Sequence, residues 1–266
     1  MRAKVYLVGA GPGDPELLTR KAHRLLEQAD VVIYDRLVSN EVLSLVNPSA
    51  ALVYAGKRPG QQDEVQEEIY SAFLRFADTE AIIVRLKSGD PTVFGRCGEE
   101  MAFLNQHSIP AEVVPGISSA LAAPALSGIP LTLRGVATSF TVIAGHQASL
   151  DSIDWEAYDR IDTLIVLMGV ENRVAIAMNL LAAGRPRSEP VAFIEHASSE
   201  RERLIETTLQ GLCNGGPKIE SPAVMVIGKV VSHRAQVSCE SWWTSNAMQS
   251  YRIPEAERLN EQTLHV

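Results

Sequence analysis

The chain has 266 residues, of which 46% are hydrophobic and 21% are charged, and its formal net charge is −8. This composition is typical of a soluble globular protein with one large or two ordinary domains, and no apolar run approaches the roughly 18 residues that span a bilayer. The acidic balance argues against nucleic-acid binding, which needs a basic surface. We therefore expect a small-molecule ligand rather than a nucleic acid or a membrane.

The three cysteines, Cys97, Cys213 and Cys239, are odd in number and far apart, so they predict neither a disulfide framework nor a metal site. The first apolar run begins within five residues of the start, which leaves no room for a signal peptide. We therefore expect a reducing, cytoplasmic setting and no bound metal.

The first predicted strand, Val5 to Val8, leads into the glycine-rich loop GAGPGD at residues 9–14. A loop of this kind between a strand and a helix normally presents backbone N–H groups to a phosphate. Here Asp14 replaces the third glycine of the dinucleotide pattern, and Pro12 lacks an N–H. Asp14 also fits a helix N-cap, with Pro15 at the first helical position. The loop is therefore predicted to approach a ligand closely without cradling a phosphate.

The remainder of the first half alternates apolar runs with helical patterns. Strands are predicted at Val31–Tyr34, Leu52–Tyr54, Ala81–Leu86 and Ala111–Val114. Helices are predicted from the first loop to Ala29, over residues 65–76, over Glu99–Gln106, and from Ser118 or Ser119 to Leu126. Such alternation predicts parallel strands joined by right-handed crossovers, with the ligand beyond their carboxyl ends.

A second half is predicted to begin after Ile129-Pro130-Leu131. Its strands are predicted at Phe140–Ala144, Thr163–Met168, Val191–Ile194, Leu204–Thr207 and Ala223–Ile227, with a helix over Val174–Ala183. Residues 206–209 favour an antiparallel hairpin, so the second sheet is expected to be mixed. The prediction is an α/β fold of two α/β domains, residues 1–132 and 133–234, with mostly parallel sheets and a ligand cleft between them. Residues 235–266 are expected to form a polar extension.

Four further segments with charged or glycine residues each follow a predicted strand directly. They are YDRLVS at 34–39, GKR at 56–58, VRLKSGDPTVFGR at 84–96 and VVPGISSA at 113–120. Each alone could be an ordinary turn or a solvated loop. An α/β domain does not need Asp, Lys, Arg and Gly-Asp at the end of nearly every strand, so together they predict a functional site at this edge.

With the first loop, these segments resemble the tetrapyrrole (corrin/porphyrin) methylase family, in particular its members that C-methylate uroporphyrinogen III. The similarity extends over roughly Lys4 to Arg234, and the second half adds Gly145-His146, Asp154-Trp155, Met168-Gly169 and Ser221-Pro222-Ala223. The resemblance implies the family's fold and S-adenosylmethionine as methyl donor, a molecule without phosphate that suits the first loop. It also implies two successive methyl transfers that yield precorrin-2, a homodimer, and a place in sirohaem- or cobalamin-type biosynthesis.

The resemblance also implies roles for individual residues. The donor site would be lined by Pro12, Ser88, Gly89, Asp90, Val93, Ser118, Ser119, Met168, Ala197 and Ala223. Asp35 would accept the departing proton and Lys57 would donate one. The acetate and propionate groups of the acceptor need basic partners, for which arginine is best suited. The candidates are Arg36, Lys57, Arg85 and Arg134, and of these Lys57, Arg85 and Arg134 are counted as catalytic together with Asp35.

The chain departs from the usual family residues at five positions, Ser88, Thr92, Cys97, Leu133 and Leu167. Leu133 and Leu167 remove polar groups near the expected acceptor site, which leaves open a methylase of a different tetrapyrrole. The sequence also leaves open a dinucleotide-dependent oxidoreductase and a non-catalytic binding relative. The incomplete glycine pattern disfavours the oxidoreductase, and the retained Asp35 disfavours the non-catalytic relative.

Overall fold

The computed structural model describes residues 3–56, 62–79, 81–146, 150 and 152–234, which fall within one compact unit. This unit contains two five-stranded sheets, built from successive halves of the chain. The predicted division at residue 132 falls between the two sheets along the sequence, and the assignment of two separate domains stays a prediction. Lys57, Arg58 and the predicted extension lie outside the described residues.

The first sheet is wholly parallel, as the alternation of strands and helices predicts. Its strands are β1 (Lys4–Gly9), β2 (Val31–Tyr34), β3 (Ala51–Tyr54), β4 (Ile82–Lys87) and β5 (Ala111–Val114). They lie in the order β3-β2-β4-β1-β5, and each neighbouring pair is parallel. The carboxyl ends of all five strands therefore lie at one edge of the sheet.

Helices connect these strands and continue into the second half. They are α1 (Arg20–Gln28), α2 (Asn40–Leu43), α3 (Gln62–Phe76), α4 (Cys97–Gln106), α5 (Ser119–Leu126), α6 (Arg173–Ala182) and α7 (Leu209–Cys213), with 3-10 helices at Pro15–Leu17, Trp155–Tyr158 and Lys229–His233. None of the helices in the described ranges is long and apolar enough to cross a membrane.

Alternate residues along the strands supply two separate apolar layers, because successive side chains point to opposite faces of a sheet. On one face Leu7 and Ile33 pack with Phe73 of α3. On the other face Val8 packs with Leu26 of α1. Helices thus cover both faces of the sheet, and this burial explains why its strands are nearly continuous apolar runs.

The second sheet is mixed, as expected, but only one pair of its strands is parallel. Its strands are β6 (Phe140–Ala144), β7 (Thr163–Leu167), β8 (Pro190–Glu195), β9 (Arg203–Thr208) and β10 (Ala223–Ile227). Their order is β6-β7-β10-β8-β9, with β6 and β7 parallel and the other pairs antiparallel. Because β10 runs against β7 and β8, its first residue lies where those two strands end.

Helix α5 joins the two halves of the unit. Ser118 caps it directly after the loop that follows β5. Its buried residues Ala120 and Ala123 pack with Ile165 and Val226 of the second sheet. The helix therefore begins at the functional edge of the first sheet and packs its buried face on the second.

The first helix begins later than the sequence predicts. Asp14 does act as an N-cap, since its carboxylate accepts the N–H of Glu16 at 2.8 Å, but it caps only the 3-10 helix Pro15–Leu17. Leu18 is extended, with φ −68° and ψ 143°. Thr19 then caps α1 by accepting the N–H of Ala22. The prediction of one helix from the loop onward was wrong because the Thr19 hydroxyl starts a new helix after a break.

Candidate active site

The loops after β1, β4 and β5 contact one another through backbone atoms of glycine residues. The N–H of Gly11 donates to the carbonyl of Gly89 at 3.2 Å, and the N–H of Gly89 donates back at 2.8 Å. A Cβ atom at Gly9 would lie 2.6 Å from the Cα of Gly116 and 2.6 Å from the carbonyl oxygen of Gly89. Only glycine fits here, so the centre of the edge is a surface of peptide groups without side chains.

Asp90 fastens the loop after β4 to the loop after β5. One of its carboxylate oxygens accepts the N–H of Gly116 at 3.1 Å, and the other accepts the N–H of Thr92 at 2.8 Å. The N–H of Val93 donates to the carbonyl of Asp90 at 3.2 Å. The Cβ position of Gly89 lies 3.6 Å from the Cα of Ser118. The structure thus brings together the predicted donor residues of the first half that lie on these two loops.

Three predicted donor residues of the second half share one edge of their sheet. Met168 follows β7, Ala197 follows β8 and Ala223 begins β10, opposite Glu195. The Met168 side chain is half exposed, and its φ of 57° is in the left-handed region. The residues on either side of Ala197 also have positive φ. The backbone at this edge is therefore kinked, and it leaves the Met168 side chain half exposed.

The first loop is held from both halves of the chain. On one side the Ser39 hydroxyl donates to the carbonyl of Gly13 at 2.6 Å. On the other side the N–H of Asp14 donates to the Ser198 hydroxyl at 2.8 Å. Glu202 fixes Ser198 by accepting its N–H at 2.9 Å. These contacts bring Pro12, between Gly11 and Gly13, close to the loop that carries Ala197.

Asp35 lies directly after β2, beside the end of β4. Its N–H donates to the carbonyl of Leu86 at 3.2 Å, which fixes the backbone. Its Oδ1 accepts a hydrogen bond from Arg85 Nη2 at 2.5 Å, while a quarter of the side chain stays exposed. The carboxylate is therefore anchored by one oxygen. Its other oxygen, Oδ2, is called open here because it accepts no hydrogen bond from the described residues.

Arg85 lies in the interior, with only 1% of its side chain exposed. Its Nη1 donates to the carbonyls of Ile33 and Leu86, both at 3.3 Å, and its Nε to Glu100 at 3.4 Å. The sequence predicts that this guanidinium binds the acceptor's carboxylates. The geometry directs it at Asp35 and at backbone carbonyls instead, so here it holds Asp35.

Lys87 and Glu100 extend this arrangement behind Arg85. The Lys87 ammonium donates to Glu100 Oε1 at 2.7 Å, and both side chains are buried. Burial, followed by the charge of Arg85, lowers the pKa of Lys87 below its usual value. The second oxygen of Glu100 is buried and has no hydrogen bond among the described residues.

Three residues that form the contacts described above were not predicted from the sequence. They are Glu100, which binds Arg85, and Ser198 and Glu202, which hold the first loop. Glu100 shares a helical spacing with the buried residues Cys97 and Leu104, so its place on the apolar stripe of α4 was the available signal. Ser198 and Glu202 offer no comparable local signal, because Ser198 contacts a residue 184 positions away.

Two further predicted residues, Arg36 and Arg134, lie in different parts of the structure. Arg36 is exposed and adjacent to Asp35. Arg134 is exposed in a turn whose preceding segment is bound by the Thr163 hydroxyl, which donates to the carbonyl of Leu131 at 2.9 Å. Because Thr163 begins β7 and Met168 follows its end, Leu131 lies at the opposite end of β7 from Met168, and the role of Arg134 stays a prediction. Within the described ranges, no cluster of three or more His, Cys, Asp or Glu could hold a metal ion.

Comparison with known protein families gives a match over most of the chain. The family model described as Tetrapyrrole (Corrin/Porphyrin) Methylases matches residues 4–213. That range includes the loops after β1, β2, β4, β5, β7 and β8.

Individual relatives resemble the chain over nearly their whole length. A uroporphyrinogen-III C-methyltransferase of Methanocaldococcus jannaschii is 44% identical over 238 residues, which cover 87% of this chain and 98% of the relative. One of Bacillus subtilis is 39% identical over 258 residues, covering 95% of this chain and 99% of the relative. Among solved structures, a uroporphyrin-III C-methyl transferase of Thermus thermophilus in complex with S-adenyl homocysteine is 47% identical. It has a TM-score of 0.77 and covers 86% of this chain and 99% of that one.

Proposed function

Because the chain belongs to the tetrapyrrole (corrin/porphyrin) methylases, we propose that it is a uroporphyrinogen-III C-methyltransferase that uses S-adenosylmethionine. The two-step product would be precorrin-2, a precursor of sirohaem and of cobalamin-type compounds. The observation that carries the proposal is the Asp35 carboxylate. One of its oxygens is bound to Arg85 and the other is open, at the edge where the glycine loops meet.

The backbone surface at this edge fits the donor. S-adenosylmethionine supplies an activated methyl group on a sulfonium cation and carries no phosphate. The contacts among Gly9, Gly89 and Gly116 leave peptide groups where any side chain would intrude, and Pro12 removes an N–H that a phosphate would need. We propose that these loops hold the donor together with Asp90, Val93, Ser118 and Ser119, and that Met168, Ala197 and Ala223 bind it from the second sheet.

Asp35 would provide the base of the reaction. A pyrrole carbon would form a bond to the methyl group as the methyl–sulfur bond breaks, which releases S-adenosylhomocysteine and leaves the acceptor positively charged. Loss of a proton from the macrocycle would then restore its neutrality. The open oxygen of Asp35 can accept that proton while Arg85 holds the other oxygen. Arg36, which is exposed next to Asp35, would bind an acceptor carboxylate. The roles of Lys57 as proton donor and acceptor ligand, and of Arg134, stay predictions.

Mass spectrometry of the product tests the proposal directly. The purified protein would be incubated with uroporphyrinogen III and S-adenosylmethionine under anaerobic conditions, and the methyl groups added to the macrocycle would be counted. We expect two methyl groups per macrocycle. No addition to this macrocycle, with transfer to another tetrapyrrole, would instead support a methylase of a different precursor.

We also propose that the enzyme works as a homodimer. Helix α5 and the loop before it expose three large apolar side chains, Ile117, Leu121 and Leu126, each between 37% and 46% accessible. Exposed large apolar side chains of this kind would be covered by an interface between subunits. Light scattering on the purified protein would give the mass of two chains, and a single-chain mass would refute the proposal.

A cytoplasmic location is supported by the state of the cysteines. Cys97 and Cys213 are both free thiols, and Cys97 is buried. Burial raises the pKa of the Cys97 thiol, which makes it less reactive. Free thiols are usual in a reducing compartment.

A further inference from the structure

Four charged side chains form a continuous chain from α4 to the end of β2. Arg85 and Lys87 are two residues apart on β4, so they leave the same face of the sheet. On that face Glu100 Oε1 accepts a hydrogen bond from each of them. The distance is 3.4 Å to Arg85 Nε and 2.7 Å to Lys87 Nζ. The other end of Arg85 donates to Asp35 at 2.5 Å. Of the four, only Asp35 has more than 4% of its side chain exposed.

The four side chains balance one another in charge, with two cations and two carboxylates. A buried charge without a partner is costly, so removing any one member destabilises the others by leaving one buried charge unpaired. The pKa of Lys87 depends on both the cation and the carboxylates of the cluster. Burial and Arg85 lower its pKa, while Glu100 and Asp35 act in the opposite direction. Among the described residues, Tyr70 on α3 and Cys97 on α4 are titratable groups that interact with Glu100, and Asp90 on the loop after β4 interacts with Cys97.

We propose that Glu100 and Lys87 are positioning residues of the methyl transfer, which fix the Arg85 guanidinium so that it holds one Asp35 oxygen and leaves the other open. This inference rests on the proposed function. A guanidinium is a rigid planar fork, so holding its Nε sets the direction of Nη2. Glu100 holds that Nε, and Lys87 determines where the shared Glu100 oxygen lies. Both residues act on Asp35 only through Arg85.

Two charge variants and their combination test the proposal. Glu100→Gln keeps the shape of the side chain but leaves two cations facing one carboxylate. Lys87→Met leaves two carboxylates facing one cation. Because either imbalance shifts Arg85, we expect each to lower kcat by about 10- to 100-fold while the KM for the donor changes by less than about twofold. The combined variant K87M/E100Q is neutral again and is expected to recover most of that loss.

The measurements are methyl transfer from labelled donor at saturating uroporphyrinogen III and the calorimetric affinity for S-adenosylhomocysteine. Glu189→Gln is the matched control, since Glu189 is also buried and pairs with Arg185 at 2.7 Å, next to the start of β8. This end of β8 is opposite to the end that carries Ala197. We expect E189Q to lower the melting temperature without changing kcat.

Three outcomes would overturn the proposal. They are a kcat of E100Q within about twofold of wild type, a kcat loss matched by an equal loss of S-adenosylhomocysteine affinity, and a combined variant no more active than E100Q. If E100Q does not fold, the combined variant is compared with K87M, and equal activity of these two refutes the coupling. A wild-type protein that transfers no methyl group to uroporphyrinogen III would refute the proposed function instead.

Discussion

The Asp35 carboxylate has one oxygen bound to Arg85 and one oxygen open. Asp35→Asn keeps the size of the side chain and an oxygen that Arg85 can bind, but it removes the proposed base. We expect kcat for methyl transfer to fall roughly 100-fold or more, the scale at which general bases contribute. Single-turnover assays with labelled donor would measure this loss.

Donor binding provides the control for the Asp35 variant. The contacts among the glycine loops do not involve Asp35, so the affinity of D35N for S-adenosylhomocysteine should equal that of wild type. Unchanged turnover in D35N would remove Asp35 from the mechanism. If D35N turns over at the wild-type rate and the wild type forms methylated product, another group must accept the proton.

At the residue scale, the sequence predicted that the loops after the strands of the first sheet would lie at one edge, but not how their residues would share hydrogen bonds. Asp35 follows a strand and was correctly placed at its carboxyl end. Arg85 was expected to bind the acceptor, whereas its alternation within β4 places it on a face that α4 covers. Whether a charged residue at the end of a strand points outward or inward depends on that neighbouring helix, which the local sequence does not reveal.

At the scale of single elements, the contacts among the glycine loops set a strict limit on side-chain size. Gly9→Ala would place a Cβ 2.6 Å from backbone atoms of both neighbouring loops. Overpacking of this kind typically costs about 1–3 kcal/mol of unfolding free energy. We expect a lower melting temperature and a marked loss of affinity for S-adenosylhomocysteine, which differential scanning fluorimetry and calorimetry would detect.

Gly98→Ala serves as the control for this substitution. Gly98 lies in α4, and a Cβ there would meet no atom within 4 Å. Because alanine favours helix over glycine by up to about 1 kcal/mol, G98A should unfold at a slightly higher temperature. Equal effects of the two substitutions would show that close backbone contact is not what limits position 9.

Glu112 on β5 ties the edge of the first sheet to its neighbours. It pairs with Lys4 of β1 and Lys21 of α1, and hydrogen bonds from Lys21 and Lys4 lower its pKa to about 2. Because its pKa is lower in the folded state, the pairs stabilise the fold above about pH 4.5, and this contribution is lost as the pH falls towards 2. A third of the Glu112 side chain is exposed, so solvent keeps the contribution at about 1 kcal/mol or less at pH 7.

Urea unfolding of Glu112→Gln checks this pH dependence. The variant should be less stable than wild type at pH 7, and the difference should vanish as the pH approaches 2. Glu68→Gln is the control, since Glu68 is exposed on α3 and forms no ion pair among the described residues. A difference that persists at low pH would indicate a loss of packing rather than of charge.

At this scale the apolar runs predicted the bounds of strands well. The capping residues did not predict where the first α-helix begins. The bounds of β2, β5, β6 and β10 agree with the predicted ones, because each of these strands is a short, largely apolar run. The start of α1 was wrong because two residues, Asp14 and Thr19, can each cap a helix. Which of them begins the α-helix depends on the extended conformation of Leu18 between them.

At the scale of the whole molecule, one hydrogen bond links the first loop to the second half. Ser198→Ala would remove the acceptor of the Asp14 N–H, a contact made at 2.8 Å. A lost hydrogen bond of this kind is worth about 1 kcal/mol, so we expect roughly fivefold weaker binding of S-adenosylhomocysteine with little change in kcat. Calorimetric titration would measure it.

Ser199→Ala is the matched control in the same loop. The Ser199 hydroxyl donates to the carbonyl of His196 at 2.7 Å and so contacts only its own loop. Its removal should leave donor affinity unchanged. Equal affinities of S198A and wild type would show that the first loop keeps its position without help from the second half.

The order of strands in the whole molecule was only partly predictable. Parallel pairing in the first sheet followed from the alternation of strands and helices. The antiparallel hairpin of the second sheet was expected at residues 206–209, but these residues end β9 and begin α7, and the hairpin instead joins β8 to β9 through residues 196–202. That β10 would insert between β7 and β8 was not foreseen, since no local feature of Ala223–Ile227 indicates its neighbours. This insertion matters for the site because it brings the start of β10 beside Met168 and Ala197.

The kinked backbone at the ends of the strands has a consequence for adaptation. Of the six non-glycine residues with positive φ in the described ranges, five follow β4, β7 or β8, namely Phe94, Arg96, Met168, His196 and Ser198. Each such residue costs of the order of 1 kcal/mol, and glycine or asparagine would relieve that cost. A lineage evolving toward heat tolerance would therefore find its readiest gains at the proposed site of methyl transfer. Selection for turnover should keep those positions strained, and thermal adaptation should accumulate in the helices instead.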